Sequence, residues 1–177
     1  MLWSKLRKAI KVDQAKPIRV PEPYSRHLPE ADRSRPWENL EDKRIVVAGR
    51  HGITVVDAER VIDSGLWHEV QYAKWDPKTC AFTLVWIQPG RPGLVAATLS
   101  EDPKRFMETV TSRVTDTIVA TRSFFTPEGT RVSASVRRRV DGQLFQTLIA
   151  DGSLTEDDET KARQVARDLA EEFNVED

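Results

Sequence analysis

The sequence predicts an α+β fold whose strands pair antiparallel, and three observations carry that prediction. Short β-branched runs follow one another from residue 43 onward with turns rather than helices between them. Helical periodicity appears in only two stretches of that region, one after Asp102 and one after Ser153. At 177 residues, 39% hydrophobic and 31% charged, the chain has ordinary globular composition and length for one core.

The elements are read in order. Residues 1–12 form about three helical turns, with Leu2, Leu6 and Ile10 at i, i+4, i+8, Trp3 beside them, and Lys5, Lys8 and Lys11 around the other side. Residues 13–42 read as an extended or wrapping arm, because five of the ten prolines fall between Pro17 and Pro36 and each fixes φ and removes a donor. A single α+β domain then spans 43–177. Arg44 to Ala48 and Ile53 to Val56 flank Gly49 to Gly52 as a hairpin, and Glu59 to Asp63 is a third short strand. Glu69 to Trp75 and Cys80 to Ile87 flank Asp76-Pro77-Lys78-Thr79, where proline in second place suits a type I turn. The second of these strands is apolar on both faces and is expected to be central. Gly93 to Leu99 is the sixth strand.

Asp102-Pro103 opens a helix, with Asp as cap and Pro first inside, and Phe106, Val110 and Val114 draw its apolar stripe. Thr117 to Phe125, Arg131 to Val140 and Gln143 to Ala150 follow as a three-stranded meander. Asp141-Gly142 signals a two-residue hairpin loop, which pairs Arg138 with Phe145 and Val136 with Thr147. Ser153-Leu154-Thr155-Glu156 offers a capping box for a final helix with Ala162, Val165, Ala166, Leu169 and Phe173 on one side.

The net charge of −1 conceals a polarity: residues 1–20 carry +5 and residues 151–177 carry −7. The near-neutral middle argues against nucleic acid as a partner. Lone Cys80 can neither close an intramolecular disulfide nor build a thiolate zinc site, and no apolar run reaches the roughly 20 residues that span a bilayer. A cytoplasmic protein is expected, with association at the inner membrane face through residues 1–12.

No phosphate loop, dinucleotide fingerprint or paired metal-binding motif is present, so no catalytic residue, cofactor or metal is expected. His27, His51 and His68 lack metal-ligand spacing, and Cys80 beside Ala81 and Phe82 reads as a small hydrophobe. Trp67 reads as an anchor, and strand alternation sets His68 and Glu69 on opposite faces. Arg131, Arg137 and Arg139 share a strand side and are the anion-binding candidates, against a plain solvated edge. Leu2, Trp3, Lys5, Leu6, Lys8, Ile10 and Lys11 make an interfacial face for an anionic membrane or for protein.

Arg44-Ile45-Val46-Val47, Ile53-Thr54-Val55-Val56, Leu66-Trp67-His68-Glu69-Val70, Trp75-Asp76 and Phe82-Thr83-Leu84 together form a pattern, continued by Arg113-Val114 and the strands after it. Over residues 44–150 it resembles bacterial pleckstrin-homology-like (PH-like) domains, in particular an actinobacterial group. The resemblance implies a bent antiparallel sheet or partly open barrel with a helix over one opening, used to bind lipid headgroups, peptides or proteins rather than to catalyse. Three strands after the first helix depart from the simplest form of that pattern, and no binding residue transfers from it. The expectation is a non-catalytic interaction or scaffold module. The alternative is a structural homo-oligomer with the N-terminal arm packed on its own or a neighbouring domain, and a third reading is an enzyme with an unfamiliar site.

Overall fold

A computed structural model describes residues 19–175. The expected helix over 1–12, and with it the interfacial face from Leu2 to Lys11, lies outside the described residues.

The fold is α+β, with ten strands in three open antiparallel sheets and two helices among the described residues. The first sheet runs in the order β1 (Trp37–Asn39), β2 (Ile45–Ala48), β3 (Gly52–Val56) and β4 (Val61–Leu66). The second joins β5 (Val70–Asp76), β6 (Ala81–Trp86) and β7 (Leu94–Ala97), with β6 central as its apolar run requires. Helix α1 (Lys104–Asp116) follows, then β8 (Ile118–Phe125), β9 (Arg131–Arg138) and β10 (Leu144–Ala150) as a meander with β9 in the middle. Helix α2 (Glu156–Glu172) closes the fold against β8, β9 and β10.

The first two sheets and α1 share the main core. Val46, Ile53 and Val55 meet Phe82, Leu84 and Trp86 from the second sheet and Phe106, Val110 and Val114 from the helix. The i, i+4, i+8 stripe of α1 is thus its buried face, and Phe106 meets Phe82 edge-on at 5.4 Å between ring centroids. The opposite side of the first sheet is covered by the proline-rich arm, whose Val20, Leu28 and Trp37 pack on Ile45, Val47 and Val56. The arm therefore wraps, and part of it is sheet, because Trp37 pairs with Val47 in β1. The compact unit consequently extends N-terminal of residue 43, where the sequence suggests a boundary. A third cluster seats Ala166 and Leu169 of α2 on Ala134 and Val136 of β9.

Several local expectations are corrected. The β9–β10 register is one residue from that expected: Arg138 faces Leu144 and Arg137 faces Phe145. Gly142 sits at φ +88° and its N–H bonds Arg139 O, so the loop is a three-residue turn with a left-handed glycine instead of a two-residue one. Helix α2 is capped by Thr155, two residues beyond the Ser153 of the expected capping box: Thr155 Oγ1 accepts Asp158 N–H at 3.2 Å and donates to Asp158 Oδ2 at 2.7 Å. Thr155 to Asp158 repeats the same spacing with aspartate in the glutamate position. Asp102 makes no cap bond, since the first turn of α1 starts beyond Pro103. Cys80 is a turn residue at φ +52°, outside the strand, while Phe82, Leu84 and Trp86 take the buried face of β6. The strand expected over Glu59 to Asp63 is β4 and starts at Val61, because Asp57 Oδ1 accepts the N–H groups of Glu59 and Arg60 and makes a turn of them.

Candidate functional site

Five separate parts of the chain converge on the turn Trp67–Glu69, and backbone contacts hold each in place. The turn is fixed from within the core: Trp67 is buried, its indole N–H donates to Gly49 O at 3.3 Å, and its backbone N–H donates to His51 O at 3.1 Å. Trp67 is thus the anchor expected of it. The Glu69 carboxylate accepts Leu66 N–H at 2.6 Å, and Ile87 N–H donates to Glu69 O at 2.8 Å. The loop between β2 and β3 brings in Arg50 and His51, and Asp32 Oδ1 accepts Arg50 N–H at 2.7 Å. The end of α1 supplies Arg113 and Asp116, and the end of β9 supplies Arg138, whose backbone N–H donates to Thr117 O at 2.7 Å. Phe145 arrives from β10, edge-on to His68 at 5.6 Å, with the Arg139 guanidinium 5.0 Å from its ring centre.

The surface here is grooved. One groove, of about 260 Å³, is walled by Arg50, His51, His68, Arg113, Arg138 and Arg139, with Asp116 the sole carboxylate on its rim. Among the described residues none of these four guanidinium groups makes a hydrogen bond or ion pair, Arg139 having only its ring contact. A second groove, of about 210 Å³, adjoins it through His68 and Arg139 and adds Glu69, Ile87, Gln88, Arg91 and Phe145. Four cations facing one anion produce a positive potential that is locally uncompensated. Planar guanidinium groups are the side chains best shaped to hold a phosphate or carboxylate through paired N–H donors.

The three arginines expected to share an anion-binding face do not come together. Arg131 starts β9 and Arg137 lies six residues on, about 20 Å along an extended strand. Arg137 is 3% exposed, and its guanidinium donates to Val70 O at 2.7 Å and Gln71 O at 3.4 Å, so it is spent tying β9 to β5. Of the three, Arg139 alone reaches the groove. Its companions Arg50 and Arg113 are hidden from sequence reasoning by their separation along the chain. The one available signal was Arg138, which stands in the same Arg137-Arg138-Arg139 run but points to the other side of the strand.

His68 and Glu69 lie on a 3-10 turn, not on a strand, so alternation does not govern them. Burial pushes the His68 imidazole below its ordinary value; Glu69 and Asp141 oppose that shift, while Arg139 and Arg137 add to it. The neutral ring is therefore favoured in the fold. A histidine whose pKa is depressed on folding contributes fully above its unfolded value of 6.5 and loses that contribution as pH falls below it. Denaturation midpoints measured from pH 7.5 to 5 are expected to fall less steeply for His68→Gln than for the unaltered chain, and identical slopes would rule out this role.

Among the described residues no group of three or more His, Cys, Asp or Glu side chains could hold a metal ion, and no helix is long and apolar enough to cross a membrane. No family model, curated protein or solved structure matches the chain.

Proposed function

We propose that the chain is a non-catalytic interaction module of the cytoplasm that binds an anionic group in the groove between the Trp67–Glu69 turn and the ends of α1 and β9. The observation that carries the reading is the set of four guanidinium groups, Arg50, Arg113, Arg138 and Arg139, facing one carboxylate with no ion-pair partner among the described residues. Natural surfaces usually intersperse charge of both signs, and a concave patch of one sign favours a ligand of the other. The pleckstrin-homology-like pattern over residues 44–150 supports the same class, binding rather than catalysis. So does the groove's position, with its walls held by backbone hydrogen bonds from two sheets and a helix.

Isothermal titration with inorganic pyrophosphate tests the groove. Binding is expected that weakens as salt rises and that falls by about tenfold for Arg138→Gln, the loss of one charge-assisted contact. Arg131→Gln, at the far end of β9, serves as the control and is expected to leave the affinity unchanged. Equal affinities for both variants, or no binding by the unaltered chain, would remove the proposal.

A further inference from the structure

The groove next to the arginine cluster narrows the ligand. It adds an apolar wall to the cations: Phe145, Ile87 and the His68 ring line it, and the Gln88 amide and the Glu69 carboxylate stand at its margin. Arg91, the one further cation there, is already held by Asp63 and Ser64 O and stacked on Trp86. His68 is favoured in its neutral form, so its ring adds no fixed charge to that wall. Glu69 uses Oε2 to hold Leu66 N–H, which leaves Oε1 as an acceptor, and Gln88 offers both a donor and an acceptor. The two grooves share His68 and Arg139, so one ligand can fill both.

We infer that the ligand is a nucleotide, with its phosphates among Arg50, Arg113, Arg138 and Arg139 and its base against Phe145 and His68. A flat apolar ring matches the wall, because aromatic side chains favour stacked or edge-on contact with another ring. Polar groups at the margin decide between kinds of ring. A phenyl ring offers no hydrogen-bonding edge to Gln88 and Glu69, whereas a nucleobase presents donors and acceptors along its edge. The chain lacks the glycine-rich loops that cradle phosphates with backbone amides, and here guanidinium groups take that place. The ligand assignment rests on the anion-binding reading of the arginine groove, but it adds the second groove and can fail independently.

The test is titration of the full chain with ADP, GDP, UDP and CDP, and with pyrophosphate and phenyl phosphate as partial ligands. At least one nucleoside diphosphate is expected to bind about tenfold or more tighter than either partial ligand, the gain a stacked base supplies. Phe145→Ala and Gln88→Ala are each expected to reduce that gain. Gln88→Ala, which touches none of the four arginines' contacts, is expected to leave the pyrophosphate affinity in place, whereas Phe145→Ala also removes the ring contact of Arg139 and is read as the ratio of nucleotide to pyrophosphate affinity. Gln88 is exposed, so its variant keeps the fold even where Phe145→Ala disturbs β10. Nucleotides that bind no tighter than pyrophosphate would overturn the inference and leave the anion groove standing. So would a gain that survives both substitutions, or a preference for phenyl phosphate. Failure of every phosphate compound to bind would overturn both readings, and binding confined to vesicles of an anionic phospholipid would overturn the nucleotide.

Discussion

Replacing Arg137 with alanine is expected to lower the unfolding free energy by about 3 kcal/mol, because it leaves buried acceptors without donors and opens a cavity. Val70, whose carbonyl receives the shorter bond, is fully buried, so water cannot take over. Arg137 is an unusual tie: no carboxylate is among its bonding partners, and its Nε has no partner among the described residues. Burial lowers its pKa, but a guanidinium starts so high that it stays charged at any physiological pH. Methionine at this position would keep most of the volume and relieve the buried charge, yet lose both bonds to β5. Arg137→Met is accordingly expected to cost about 1 to 2 kcal/mol less than Arg137→Ala. Chemical denaturation of the two variants separates the terms, and a wild-type midpoint for Arg137→Ala would show that β9 and β5 do not depend on this contact.

Truncation of Phe106 to alanine is expected to cost about 4 kcal/mol, within the usual range for a large buried aromatic. Phe106 is 2% exposed and lies where α1 meets both the first and second sheets, edge-on to Phe82. The loss has a functional consequence, since α1 carries Arg113 at its other end. Pyrophosphate affinity is expected to weaken in Phe106→Ala even at temperatures where the chain remains folded. Phe106→Leu, which keeps most of the volume, is expected to retain both properties. An alanine variant as stable as the unaltered chain would mean that α1 is not seated as described.

Local pattern made most of the fold legible. The stripe of α1 and the face of α2 follow from period alone, whereas β6, apolar on both faces and expected to be covered on both, fully buries only its Phe82, Leu84 and Trp86 face. Where legibility ended, the deciding contact was distant or a choice between near-equal signals. Strand β1 has three residues and exists only because β2, which follows a turn, lies beside it. In the β9–β10 hairpin, Asp141-Gly142 serves a two-residue or a three-residue loop, and Gly142 in the left-handed region selects the longer one. That single residue moves every partner on β10. The capping box expected at Ser153 gives way to an N-cap at Thr155, whose hydroxyl accepts Asp158 N–H.

The groove was less legible than the fold, for a physical reason. Its arginines lie on a loop, a helix end and a strand end, and no spacing rule links residues 50, 113 and 138. The arginine run was visible, but alternation assigned Arg137 to solvent when β5 lay ready to bury it.

The central claim is that anions bind in the groove formed by Arg50, Arg113, Arg138 and Arg139. A heteronuclear NMR titration of the full chain with inorganic pyrophosphate tests it most directly. Shifts are expected to concentrate at the backbone amides of Arg50, His51, His68, Arg113, Arg138 and Arg139, with Arg131 and the residues of α2 unmoved. Shifts centred on Arg131 or on any surface away from the Trp67–Glu69 turn, or a spectrum unchanged at saturating pyrophosphate, would contradict it.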